Sequence, residues 1–126
     1  MYENNLFEIA KAVTAPRKLS EVAECGTVGC ALLSASGKVF TGISLDAACG
    51  VGACAEFGAV AEMLKSGESR VTRIMAVSNE GVVFPPCGRC RELLFQIDKL
   101  NLETEVFISA NESKTLRELL PHLWLI

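Results

Sequence analysis

The stretch Thr27–Leu45, TVGCALLSASGKVFTGISL, decides the fold. Two runs rich in Val, Ile, Leu, Phe and Thr, Thr27–Leu33 and Lys38–Leu45, flank Ser36-Gly37, the pattern of a β-hairpin. Upstream, Leu6, Ile9, Ala10 and Val13 recur at helical spacing over residues 4–14, and Pro16 ends that helix. Downstream, Asp46–Gly52 is a loop of small residues. Ala53–Lys65 then reads as a helix with Phe57, Val60, Met63 and Leu64 spread around nearly every side, which predicts a central position. Val71–Ser78 is a buried-type strand, Asn79-Glu80-Gly81 a turn, and Val82–Phe84 a short segment whose Phe84 is expected in the core, with contact to a substrate as the alternative. A helix runs from Cys87 to about Asp98, and Glu105–Ala110 is a further strand. Thr115–Glu118 has capping-box spacing for a short helix ending before Pro121. The order α, β, β, α, β, α, β, α favours an α/β fold, one mixed sheet with helices on both faces.

Length and charge narrow the function. At 126 residues, 50% of them hydrophobic, the chain fits one domain spanning 1–126. The net charge of -3 gives no basic footprint for a phosphate backbone or an anionic membrane, so neither nucleic acid nor membrane is an expected partner. No apolar run approaches the ~20 residues of a membrane span, and Met1–Asn5 lacks the basic start of a signal peptide. A cytoplasmic location is expected. There, six cysteines are read as thiols or metal ligands rather than a disulfide framework. The segment Leu119–Ile126 is unusually apolar; it either packs on its own subunit or completes a subunit interface.

Three of the cysteines sit at predicted helix starts. Cys54 opens one helix in Cys54-Ala55-Glu56, and Cys87 and Cys90 open the next in Pro86-Cys87-Gly88-Arg89-Cys90. Residues three apart share a helix face, so Cys87 and Cys90 can reach one zinc ion. Helix N-termini favour the thiolate form that binds metal. Three protein ligands leave a fourth tetrahedral position open to water, the pattern of a catalytic rather than a structural site. Glu56, in the first turn beside Cys54, can lean back toward that position and act as acid and base without being a ligand.

These residues resemble the zinc-dependent cytidine deaminase superfamily: Cys-Ala-Glu, followed 31 residues after its Glu by Cys-Gly-Arg-Cys behind a Pro. Val28–Gly42 is similar to the hairpin of the small free-nucleoside deaminases and Leu116–Pro121 to their C-terminal signature, so about residues 1–124 are covered. The resemblance implies a three-layer α/β/α sandwich with a five-stranded mixed sheet. It also implies a homotetramer whose sites are completed by neighbouring subunits, and hydrolytic deamination of a free cytosine nucleoside, cytidine or deoxycytidine. Cys54, Cys87 and Cys90 would hold one Zn2+ per chain, Glu56 would move the protons, and the backbone at Ala55 would hold the base edge. Where the family usually reads Asn-Val-Glu-Asn, with the first and third residues on the ribose, this chain has Ser44-Leu45-Asp46-Ala47. Ser44 and Asp46 are thus the expected, shortened ribose contacts.

A loop shortened by about one residue before Cys54, Gly26 near a position usually held by Phe, and the Pro-Cys-Gly-Arg-Cys motif also resemble blasticidin S deaminases. Blasticidin S or another modified aminopyrimidine nucleoside is therefore the alternative substrate. Many three-cysteine members place Arg directly after the catalytic Glu, where this chain has Phe57. Arg89 is accordingly a candidate for balancing the negative charge of a three-thiolate site, against the plainer reading of a solvated first-turn Arg. The non-enzymatic rival is a structural four-cysteine zinc domain that adds Cys49. Otherwise Cys25, Cys30 and Cys49 are expected as small buried or half-buried residues. His122 is expected at the surface or an interface, and Glu62 with Lys65 as an exposed helix pair.

Overall fold

The computed structural model describes residues 2–124, with side chains from Asn5 onward; Leu125 and Ile126 of the apolar tail lie outside the described residues. Helix α1, Tyr2–Ala12, buries Leu6 and Ala10 as its spacing predicts. β1 is only Arg17–Lys18. β2, Ala23–Ser34, and β3, Val39–Ala47, form the expected hairpin, with Leu33 opposite Val39 across the turn. β2 begins four residues earlier than its pattern shows because a bulge lies between Cys25 and Gly29. Gly26 sits in it at φ 87°, with Ala15 O 2.4 Å from where a Cβ would stand, so a bulky side chain at this position has no room.

Helix α2, Ala55–Lys65, crosses from β3 to β4, Val71–Ser78. β5 is Val83–Phe84, α3 spans Gly88–Ile97, and β6 is Glu105–Ser109. β7, Glu112–Thr115, leads into α4, Leu116–Leu119, whose Thr115–Glu118 capping box is formed as read. Among the described residues the sheet has seven strands rather than five, in the order β1-β2-β4-β6-β7 with β3 beside β2 and β5 beside β4. It is five strands wide. β1 pairs with one edge of β2 while β3 takes the other, which puts β1 in line with β4; β5 likewise extends the line of β6 along β4. Only β4 and β6 pair in parallel, so the sheet is mixed.

Strand alternation sorts the core into two layers. On one face Cys30, Leu32 and Ile74 meet Ala59, Val60 and Met63 of α2 and Leu94 and Phe95 of α3. On the other, Ala31, Met75 and Val77 meet Leu6 and Ala10 of α1. The sheet is covered on both sides as predicted. Two expectations change. Helix α2 is not buried all round: Phe57 and Leu64 are each 43% exposed. Phe84 is not core; at 45% exposure it flanks the cleft described below. Leu119, Leu120 and Leu123 pack against the α2/α3 core while Trp124 stays exposed, so the described part of the tail is held mostly by its own chain.

The seating of α2 matters most for the site. A Cβ on Gly42 of β3 would stand 2.4 Å from both Ala55 O and Ala59 N, so only glycine lets helix backbone and strand backbone approach this closely. Glu62 adds a clamp: its carboxylate accepts the Thr41 N–H of edge strand β3 at 3.1 Å. Gly42→Ala is expected to force α2 off the strand and cost about 1–3 kcal/mol, the usual range for overpacking. Denaturant unfolding of the two proteins would measure it, and an unchanged midpoint would contradict the close approach.

Candidate active site

Helices α2 and α3 begin side by side. Cys54 is the N-cap of α2 and Cys87 that of α3, both with extended backbone, and neither thiol caps its own helix. Their sulfurs are therefore free to face each other, 3.5 Å apart. Cys90, one turn into α3 and buried, completes a cluster whose three Sγ atoms all lie within 4.8 Å of one another. Tetrahedral geometry with Zn–S near 2.3 Å requires S···S of about 3.8 Å, so the donor set and its spacing suit zinc. Cys49 lies outside this cluster and, against expectation, is exposed: its backbone turns through the left-handed region at φ 60°. The four-cysteine rival loses its fourth ligand. Cys25 and Cys30 are buried as expected.

Glu56 follows Cys54 into the first turn of α2 and is only 5% exposed. Burial pushes its carboxyl above the usual carboxylate range, countered by its own backbone N–H and a hydrogen bond from the Cys90 thiol. Burial also raises Cys90, with the charges of Glu56, Cys54 and Cys87 adding to it. Cys54 is raised by burial and by its hydrogen bond to Cys87. Cys87 moves the other way: burial pushes it up, but hydrogen bonds from the Cys90 and Arg89 backbone and from the Cys54 and Cys90 thiols outweigh that. Four acidic groups thus crowd one point.

In front of the cluster opens a cleft of about 510 Å³, within the usual range of small-molecule sites. Ser44, Asp46, Ala55, Glu56, Cys54, Cys87 and Arg89 all line it, which brings together every predicted site residue except Cys90, packed behind. Alternation explains the wall: Ser44 and Asp46 share the β3 face that carries Gly42, and they lie beyond the point where α2 begins. An antiparallel bridge between Leu45 and Ala53, with both N–H···O bonds at 2.9 Å, folds the loop back so that Cys54 emerges beside this strand.

Ser44 has a second duty. Its Oγ accepts the Val28 N–H at 3.0 Å and pairs with the Thr27 hydroxyl at 3.2 Å, bridging the bulge of β2. Arg89 is exposed and its guanidinium lies 5.8 Å from the centre of the Phe57 ring, so the two side chains are neighbours. Thr27, which no sequence signal singled out, lines the cleft directly after the bulge glycine, and Phe84 lines it just before the two prolines, as the alternative to its core reading has it.

Residues 3–104 match the family model for the cytidine and deoxycytidylate deaminase zinc-binding region. The chain belongs to that family. The matched region includes all three clustered cysteines and Glu56. A cytidine deaminase of Mycobacterium tuberculosis is 36% identical over 70 residues, 55% of this chain and 53% of the relative. The aligned stretch thus spans about half the length of that curated relative. One from Halalkalibacterium halodurans is 31% identical over 99 residues, covering 75% of this chain and 74% of its own. The crystal structure of cytidine deaminase from M. tuberculosis superposes with a TM-score of 0.81 at 28% identity, covering 98% of this chain and 97% of that one. That from Mycobacterium leprae gives 0.80 at 26% identity, covering 97% and 99%.

Metal analysis of the dialysed protein should separate the cysteines. Cys54→Ser, Cys87→Ser and Cys90→Ser are each expected to bring zinc well below one per chain, and Cys49→Ser to leave it bound; zinc loss from the last would restore the four-cysteine rival.

Proposed function

We propose that this protein is a zinc-dependent hydrolase that converts free cytidine or deoxycytidine to uridine or deoxyuridine plus ammonia. The observation that carries this reading is the buried carboxylate of Glu56 beside three converging thiols at the foot of a nucleoside-sized cleft. Cys54, Cys87 and Cys90 hold the metal. Zinc held by these thiolates would act as a Lewis acid and lower the pKa of water toward neutrality. Glu56 would take a proton from the attacking water and give it to ring N3 as C4 becomes tetrahedral, then take the remaining proton of the new C4 hydroxyl and pass it to the amino group, which leaves as ammonia. Its raised proton affinity suits both directions of transfer. The backbone at Ala55 holds the base edge, and Asp46 accepts from the sugar hydroxyls. Ser44 contributes less to the sugar, because much of its hydrogen-bonding capacity is used on Val28 and Thr27.

Charge supports a nucleoside over a nucleotide. Among the described residues lining the cleft, Arg89 is the one cation, and it stands at the metal end; the sugar end presents Asp46. A phosphate there would meet the Asp46 carboxylate and no cation of the cleft's own lining. We assign Arg89 to balancing the thiolate charge. The relatives named above are cytidine deaminases, which favours cytidine over blasticidin S. We also infer a single-domain chain that assembles as a homotetramer in the cytoplasm. Phe57 and Leu64 on α2 and Val39, Ile43 and Leu45 on β3 leave apolar surface that neighbouring subunits would cover. Among the described residues all six cysteines are free thiols, which suits a reducing compartment. Among the described residues no helix is long and apolar enough to cross a membrane.

Absorbance assays on cytidine, deoxycytidine, cytosine and blasticidin S side by side should show the highest kcat/KM on the first two; faster turnover of blasticidin S would select the alternative. In the same assay Glu56→Ala should keep about one zinc per chain and lose about 10²–10⁴-fold in kcat, the span of acid–base catalysis. Turnover near wild type would reject the mechanism. Arg89→Ala is expected to lower zinc affinity or kcat by about tenfold or more. Should both stay at wild-type values, Arg89 has no charge-balancing role.

A further inference from the structure

Arg91 is absent from the chemistry so far, yet it grips the peptide that delivers Cys87. The approach to that cysteine is Pro85-Pro86, two residues with no N–H, so the backbone there can be anchored only through carbonyls. Pro86 is buried, which makes an unpartnered carbonyl costly. Arg91 Nε donates to Pro86 O at 2.9 Å, and its backbone N–H donates to Cys87 O at 3.0 Å. The same guanidinium reaches a distant segment, Nη1 donating to Leu119 O at 3.3 Å. Leu119 ends α4, and the last carbonyls of a helix have no intrahelical partner. One planar cation therefore ties the carbonyl before a metal-site cysteine to the end of a helix that is fixed at its other end by the Thr115–Glu118 box.

We propose that Arg91 is a positioning residue for the metal site: it locks the Pro86–Cys87 peptide to α4 and so holds Cys87 where Cys54 and Cys90 can share one ion with it. This rests on the zinc site proposed above. Arg91 does not touch the ion. Its planar fork serves two carbonyls in different directions, a task for which lysine's single ammonium is a poor replacement. The test is release of zinc from the zinc-loaded full chain to a chromogenic chelator, for wild type, Arg91→Lys and Arg91→Met. Both variants are expected to release zinc about tenfold faster or more, as loss of an outer partner of a metal ligand does. A brace that served the fold alone would lower the thermal midpoint equally with and without zinc. A positioning residue lowers it more in the zinc-loaded protein, because weaker binding adds less stability. Wild-type release rates, or equal midpoint shifts in the two states, would overturn the proposal; Arg91→Lys keeps the charge should Arg91→Met fold poorly. A wild-type chain that takes up no zinc would overturn both readings, whereas normal uptake with unaltered release removes only the role of Arg91.

Discussion

The site depends on a backbone-to-backbone contact: α2 lies on β3 at Gly42, closer than any residue with a Cβ would permit. That contact sets the height at which the helix starts above the strand. From it follow Cys54 at the N-cap, Glu56 turned inward in the first turn, and Ser44 and Asp46 continuing along the same strand face beyond the helix. The separation between the metal end and the sugar end of the cleft therefore follows from where α2 seats on the strand that carries Ser44 and Asp46. The Leu45–Ala53 bridge closes the intervening loop and lets it be short.

Electrostatics explains why this arrangement calls for a cation. Three thiols and a 5% exposed carboxylate share one corner, and buried negative groups are costly unless paired. Cys87 is the better anion of the two facing sulfurs, because the start of α3 donates to it while burial raises Cys54. A divalent ion converts this repulsion into attraction, which is the physical content of a zinc-binding region in a family model. Arg89, beside the Phe57 ring, places a further positive charge at the rim of this corner.

Much of this was legible in the chain. Cysteine at two helix starts, Glu two residues after the first, the hairpin turn at Ser36-Gly37 and the Thr115–Glu118 box are local patterns, and local geometry realises them. What was not legible depends on partners distant in sequence. β7 carries Glu112, Ser113 and Lys114, with no apolar alternation, and exists because β6 offers it an edge. Helix α2 has apolar residues on most sides, but periodicity cannot say which sides one chain covers. Phe84 sits in an apolar triplet that suggests core, while Pro85-Pro86 carries it out to the cleft. The bonds of Arg91 span five and 28 residues, with carbonyls that any sequence would supply.

The alternation of β3 links binding to assembly. Phe40, Gly42, Ser44 and Asp46 face α2 and the cleft, whereas Val39, Ile43 and Leu45 turn their partly exposed side chains to the opposite face. Among the described strands β3 has β2 alone beside it, and its outer side is tied at two points, Thr41 to Glu62 and Leu45 to Ala53. On the proposed homotetrameric reading, a neighbour that covers Ile43 and Leu45 would press on the strand whose other face positions Asp46. The surface that a neighbour needs and the wall that the sugar needs are therefore two faces of the same nine residues, so losing the neighbour would loosen the wall even where it contributes no side chain of its own.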